Sequence, residues 1–304
     1  MPLIVHQFHA MASDCAVHLC GETAEMVERY AAAAEQEVRR IEARYSRYRE
    51  DSELTRINQV AASGGFTDLD AETAGLIAYA KACFTKTDGA FDITSGLLRR
   101  VWDFSARRLP DQEAIDAVLP FIGLDQVILS NGQLHFTRAG MELDFGGLGK
   151  EYAADRAAEV CAELGARHGF IDLAGDIRVI GSQPDGLPWR IGVRHPRKAD
   201  KLAAEIALSS GAIATSGDYE RFIEVDGRRY CHILDPRTGW PAQGLSSVTV
   251  ICDRCLVAGS LSTAAMLRGK DGAAWLQHLG VRHIVIDDRG EYCGTEASPL
   301  RHYN

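Results

Sequence analysis

Residues 212–241 read AIATSGDYERFIEVDGRRYCHILDPRTGWP. Asp226-Gly227 stands between RFIEV and RRYCHIL, and an Asp-Gly pair flanked by β-prone runs is a strong short-range hairpin signal, because both turn residues must take positive φ. A two-residue turn fixes the register: Val225 faces Arg228. Counting outward, His232 faces Arg221, Asp235 faces Asp218, and Thr238 approaches Thr215. The open end of the hairpin would then gather Thr215-Ser216-Gly217-Asp218 beside Asp235-Pro236-Arg237-Thr238-Gly239. Two polar, glycine-containing turns with a histidine and an arginine just inside suit a phosphate or another polyanion. A structural histidine is the competing reading of His232.

Upstream, residues 141–145 (MELDF) read as a strand and Gly146-Gly147-Leu148-Gly149 as a glycine turn. From Lys150 to Leu164, Tyr152, Arg156, Val160 and Leu164 keep helical spacing. A strand, a glycine turn and a helix start aim free N–H groups at an anion, with Lys150 adjacent. The same pattern also fits a plain tight strand–helix connection. It is not a nucleotide-binding P-loop, since Glu151 follows Lys150 where Ser or Thr is needed. Residues 170–181 (FIDLAGDIRVIG) give a strand broken at Ala174-Gly175. Asp172 and Asp176 there fit either acid–base chemistry or solvated acids at a β-bulge. Residues 257–267 (VAGSLSTAAML) form a small-residue helix with Ser260, Ser262 and Thr263, suited to close helix packing or to a hydroxyl reaching a metal.

Farther out, strands are expected at 3–9 and 15–20 around Met11-Ala12-Ser13. A long amphipathic helix follows from Thr23 to Tyr48 and another covers 71–85; a hairpin turns at Asn131-Gly132. A helix near 271–279 and strands near 282–287 and 291–294 finish the chain. The 304 residues are 46% hydrophobic and 25% charged, which excludes disorder, collagen and coiled coil. With 42 acidic against 33 basic residues, the net charge of −9 argues against a nucleic-acid binder. No apolar run approaches the roughly 20 residues a membrane span requires. The start of the chain lacks the features of an export signal, so a cytoplasmic location is expected. The eight cysteines are expected to be free and mostly buried, Cys252 and Cys255 of the lone CxxC included.

Seven segments together carry a resemblance: FHAMAS (8–13), SRYREDSELTRIN (46–58), TDGAFDITSGLL (87–98), LDFGGLGKEYAADRA (143–157), IDLAGDI (171–177), ATSGDYERF (214–222) and HILDPRTGWP (232–241). In this order, across nearly the whole chain, they resemble the FAD:protein FMN transferases, the ApbE-like flavin transferases. The resemblance implies one α+β domain over 1–304, T-fold-like, with an antiparallel sheet, packed helices and FAD in a cleft between two subregions. It implies that FAD is split with Mg²⁺ and that FMN is attached through a phosphoester to a Thr or Ser hydroxyl of an acceptor flavoprotein, with release of AMP. Carried over by position, Met11, Tyr48, Asp51, Asp88 and Asp92 help to form the flavin and adenine pocket. Lys150, Asp176, Thr215, Ser216, Gly217, His232 and Ile233 line the same ligand. Lys150, His232 and Thr263 are the expected catalytic set.

The resemblance places the metal on the backbone carbonyl of Gly149 and on an Asp and a Thr of a helix whose usual pattern is ADALAT. Here that helix reads AGSLST (258–263): Thr263 is kept, and Gly259 replaces the aspartate. Mg²⁺ requires hard oxygen ligands and is usually held by one or two carboxylates plus phosphates. Loss of the carboxylate predicts a weak metal site unless Asp172, Asp176 or Asp253 substitutes or the FAD phosphates and water suffice. It also keeps open two alternatives, an FAD pyrophosphatase and a flavin-binding relative without transfer activity. On the last of these alternatives, activity appears in Gly259→Asp.

Overall fold

The computed structural model describes residues 1–106 and 108–296, the side chain of Ala199 excepted. The chain opens with strands β1 (Leu3–Ala10) and β2 (Ser13–Cys20), then helices α1 (Ala24–Tyr45) and α2 (Glu53–Ser63), strand β3 (Gly65–Asp68) and helix α3 (Ala71–Lys86). Helix α4 (Gln112–Val118) and strands β4 (Val127–Ser130) and β5 (Gln133–Phe136) lead to helix α5 (Gly149–Glu163). Strands β6 (His168–Leu173), β7 (Asp176–Gly181), β8 (Trp189–His195), β9 (Lys198–Leu208), β10 (Gly211–Gly217), β11 (Phe222–Val225), β12 (Arg228–Cys231) and β13 (Leu245–Cys252) follow. Helices α6 (Cys255–Leu267) and α7 (Gly272–His278) and strands β14 (Arg282–Asp287) and β15 (Tyr292–Cys293) complete the described chain. Eight strands form one antiparallel sheet in the order β1-β2-β6-β7-β10-β13-β14-β15.

Helices α1, α5 and α6 cover one face of this sheet, and alanines (31, 34, 153, 154, 157, 158) let α1 and α5 approach closely. The β8–β9 ribbon covers the other face, burying Trp189, Ile191, Val193 and Ile206 against Ile177, Ile213 and Ile284. This is the expected α+β class. Polar residues set the helix starts: Thr23, Ser52 and Asp70 accept backbone N–H bonds at the N-termini of α1, α2 and α3. Helix α6 is capped from a distance, by the Asp155 carboxylate of α5 accepting from the Cys255 and Leu256 amides at 2.9 and 3.0 Å. Among the described residues no helix is long and apolar enough to cross a membrane. All eight cysteines are free, five of them buried.

Several expectations change. Residues 141–145 are buried, extended chain but not a strand: the Asn58 amide takes the place of a neighbouring strand, donating to the Leu143 carbonyl at 2.9 Å and accepting its N–H at 2.8 Å. The break at Ala174-Gly175 is no bulge but a two-residue hairpin turn, with φ of 58° and 91°, joining β6 to β7. The Asp226-Gly227 hairpin has the expected register, Val225 opposite Arg228, and the His232 N–H donates to Arg221 O at 2.9 Å. Beyond that the ladder stops. Strand β10 pairs with β7 and β13 instead, so Thr215 lies opposite Thr249. Asp218 is bound by Arg197 through two bonds of 2.6 and 2.7 Å, and Asp235 closes its own turn by donating its N–H to Trp240 O at 2.8 Å. The expected pairings of Asp235 with Asp218 and of Thr238 with Thr215 therefore do not form. Helix α2, strand β3 and the β8–β9 ribbon have no counterpart in the sequence reading.

Candidate functional site

The glycine turn ends where α5 begins. The Leu148 and Gly149 amides donate to Phe145 O, and Lys150, in the first turn, reaches across to β7, where its Nζ donates to Asp176 Oδ2 at 2.5 Å. Asp176 is 4% exposed, placed one residue beyond the β6–β7 turn. Burial pushes its carboxyl up, and Lys150 works against that push. Burial opposes the Lys150 charge in turn, but Asp176 and Glu151 outweigh it and hold the ammonium above its ordinary range. Lys150 is thus a fixed cation at pH 7, its position set by a buried anion.

Strand β10 runs past this pair to the face of α6. The Ser216 hydroxyl lies 2.8 Å from Ser262 Oγ and 3.0 Å from Thr263 Oγ1, and Ser262 Oγ donates to Gly259 O at 2.9 Å. Gly259 and Thr263 are four apart on one helix and share a face. The space over Gly259 is filled by Glu151 of α5. A Cβ built on Gly259 would lie 2.5 Å from Glu151 Cγ, 2.6 Å from Oε1 and 2.8 Å from Cδ. Glu151 is 7% exposed, and its Oε2 is buried with no hydrogen-bond partner. Burial, with Asp176 close by, pushes the carboxyl up to about 7.

His232 follows β12. Its Nδ1 is 3.3 Å from Arg221 O, an acceptor only, so Nδ1 carries the hydrogen and Nε2 is left as the basic nitrogen. Protein crowding around the ring lowers its pKa, the bond to the Arg221 carbonyl works against that, and the nearby Arg221 and Lys150 charges lower it further. Ile233 is buried beside it, its carbonyl accepting from the Ala242 N–H at 2.8 Å. Gly217 is held by sterics: a Cβ there would lie 2.2 Å from the Tyr219 ring.

The remaining expected residues are more dispersed. Met11 has φ of 53° at the tip of β1–β2, and its N–H is tied to Glu42 Oε1 at 2.5 Å. Tyr48 is 78% exposed under the Arg47 guanidinium, and Asp51 is paired with Arg49 at 2.8 Å. Asp88, in the left-handed region, bonds Arg268 at 3.0 Å. Asp92 is 7% exposed and accepts from Thr94 N and Oγ1 (2.7 Å each) and from Leu124 N (3.1 Å). Its carboxylate ties the end of the DGAFD segment to Thr94 and to the backbone of Leu124. Of the proposed substitutes for a metal carboxylate, Asp176 is bonded to Lys150 and Asp172 accepts from the Gly175 N–H at 2.8 Å. Asp253 accepts from Arg178 only through its backbone carbonyl.

Glu151 is the residue the sequence reading missed. The chosen stripe, Tyr152, Arg156, Val160 and Leu164, is the outer face of α5, whereas the buried face carries Glu151, Ala154, Asp155 and Ala158. Two acids four apart on an alanine-rich buried stripe were the available signal. Among the described residues no three His, Cys, Asp or Glu side chains converge as a metal cluster. Any metal here would draw on hydroxyl, backbone and phosphate oxygens beside a single carboxylate.

A cleft of about 1000 Å³ opens nearby, with Phe8, Cys15, Asp172, Gly175, Arg194 and Thr215 on its walls. Thr215 joins it to the site. A smaller hollow of about 390 Å³, lined by Arg47, Asn58, Arg100 and Glu142, contains none of the expected residues. The model of the ApbE family matches residues 11–285. The chain belongs to the ApbE family. It is 32% identical over 267 residues to the FAD:protein FMN transferase of Vibrio cholerae, covering 84% of this chain and 79% of that one. With the FAD:protein FMN transferase of Haemophilus influenzae it shares 30% identity over 82% and 76% of the two chains. The ApbE protein of Thermotoga maritima has the same fold, with a TM-score of 0.89 and 34% identity over 97% of each chain. The flavinyl transferase ApbE of Pseudomonas stutzeri gives 0.85 and 30% over 97% and 95%.

Proposed function

We propose that this ApbE-family chain is an FAD:protein FMN transferase, working as one unit over residues 1–304 and using a Thr or Ser hydroxyl of an acceptor flavoprotein. The observation that carries the reading is the buried Lys150–Asp176 pair at the glycine turn, with Thr215-Ser216-Gly217 on the adjoining strand. It provides a cation that burial does not neutralise, at the place where the family resemblance puts the pyrophosphate. In the reaction the acceptor oxygen forms a bond to the FMN-side phosphorus while that phosphorus releases the bridging oxygen, which leaves with AMP. The hydroxyl proton passes to Nε2 of His232, which the Arg221 carbonyl keeps in the required tautomer. Lys150 offsets the charge that grows on the leaving phosphate.

The site chemistry fits Mg²⁺. The Ser216 hydroxyl lies within 3.0 Å of those of Ser262 and Thr263, and one buried carboxylate oxygen on the neighbouring helix, Glu151 Oε2, has no partner. Gly149 O and the Thr263 hydroxyl would hold the ion together with the phosphates. When bound, it would neutralise charge across the bridging oxygens.

The test uses purified protein, FAD, Mg²⁺ or EDTA, and a fusion bearing an acceptor threonine sequence, following acceptor intact mass and AMP together. An FMN-sized gain matched by AMP and abolished by EDTA is the expected result. AMP without any mass gain would instead identify an FAD pyrophosphatase, and FAD binding with neither product a flavin carrier.

A further inference from the structure

We infer that Glu151 is the carboxylate of the divalent-metal site, supplied from α5 to the face of α6 where Gly259 leaves room for it. The inference rests on the proposed Mg²⁺-dependent transfer and concerns which residue completes that site. Three observations support it. First, position matters: a carboxylate on residue 259 would place its carboxyl carbon one C–C bond, about 1.5 Å, from Cβ. The Glu151 carboxyl carbon lies 2.8 Å from that same Cβ position. The two side chains therefore claim one volume and cannot both be present without displacement.

Second, Glu151 Oε2 is buried with no hydrogen-bond partner, on a side chain only 7% exposed. Leaving a buried acceptor unmatched carries its full desolvation penalty, larger for a charged group, so such a group asks for an explanation. A cation at this point would supply it. Third, the other donors lie on the right elements. Glu151 is two residues along α5 from Gly149, and Thr263 is one helical turn along α6 from Gly259. The nearby aspartates are engaged elsewhere: Asp176 binds Lys150, Asp155 caps α6, and Asp172 binds the β6–β7 turn. Gly259 thus marks a carboxylate moved from one helix to its neighbour rather than one deleted.

The test measures Mn²⁺ binding to the full chain with FAD and no acceptor, from the electron paramagnetic resonance signal of free Mn²⁺. FAD affinity in EDTA is read separately from flavin fluorescence. Glu151→Gln should weaken Mn²⁺ by at least about 10–100-fold while metal-free FAD affinity stays within about twofold. Glu151→Ala should do the same, and adding Gly259→Asp to it should return Mn²⁺ binding to within about tenfold of the wild type. Circular dichroism establishes that each variant is folded. Unchanged Mn²⁺ affinity in Glu151→Gln, or a folded double variant no better than Glu151→Ala, would overturn the inference. A wild type that binds Mn²⁺ through Glu151 yet transfers no FMN would leave the inference intact and refute the proposed function.

Discussion

Gly259→Asp, a repair only if the motif aspartate is simply missing, should be a lesion. Helix propensity alone favours it by a few tenths of a kcal/mol, because glycine is the poorer helix former. Packing opposes it: the new Cβ would meet Glu151 Cγ at 2.5 Å and its carboxylate at 2.6 Å. Cγ is in the middle of the side chain rather than at its end, and Glu151 is buried, so relief requires rotating the whole side chain inside a filled space. Overpacking of this kind costs roughly 1–3 kcal/mol, and a second carboxylate in the same volume adds to it. A net loss of about 2–4 kcal/mol follows. At roughly 2.1 cal/mol/K per residue, 304 residues give an unfolding entropy near 0.6 kcal/mol/K, so the melting temperature should drop by about 3–6 °C. Differential scanning calorimetry in EDTA, on wild type, both single variants and Glu151→Ala/Gly259→Asp, measures this directly. The double variant should show at least about 2 kcal/mol of favourable coupling between the two positions. A Gly259→Asp protein as stable as the wild type, with additive effects in the double variant, would refute the claim that Glu151 fills the space over residue 259.

Other outcomes follow from the same geometry. Lys150→Met should abolish transfer and destabilise by about 3–5 kcal/mol by leaving Asp176 buried and unpaired; Lys150→Met/Asp176→Asn should recover stability but not activity, in denaturation and AMP-release assays. Glu151 has its folded pKa near 7 against an ordinary 4.5. A raised folded value means stability present below pH 4.5 and lost as pH rises through 7, up to roughly 3 kcal/mol at ~1.4 kcal/mol per pH unit. Metal-free melts from pH 5 to 8.5 should show that decline, and Glu151→Gln should flatten it. His232→Gln should cut kcat by about 10²–10⁴-fold with FAD affinity nearly unchanged, and should remove the acidic limb of the pH–rate profile. Asp92→Ala strands three donors and should cost about 3 kcal/mol; FAD affinity unchanged within twofold in fluorescence titrations would show that Asp92 anchors this segment to Thr94 and Leu124 rather than touching the ligand.

What the sequence disclosed, it disclosed through local chemistry. Asp226-Gly227 fixes its hairpin because positive φ at two positions admits few residues, and helix α1 shows itself in apolar residues such as Val27, Tyr30, Ala34, Val38 and Ile41, which recur every three or four positions along one buried face. Local rules fail where the partner is distant. Residues 141–145 have the pattern of a strand, but Leu143 bonds the Asn58 side chain, 85 positions away, and the Asp144 N–H donates to Ile93 O. The Asp226-Gly227 register could not be extended to Asp218, because Arg197 and Ser246 hold that residue through contacts no turn count contains. The proposed metal site shows the same limit most sharply. A motif read along one helix records Gly259 as a missing ligand, since sequence order ties a side chain to its own backbone. Space does not: α5 and α6 pack together, and a volume left empty by one can be entered from the other. A motif residue is therefore lost only if the volume and charge it supplied are lost, and Glu151, more than 100 positions upstream, keeps both at the face of Gly259.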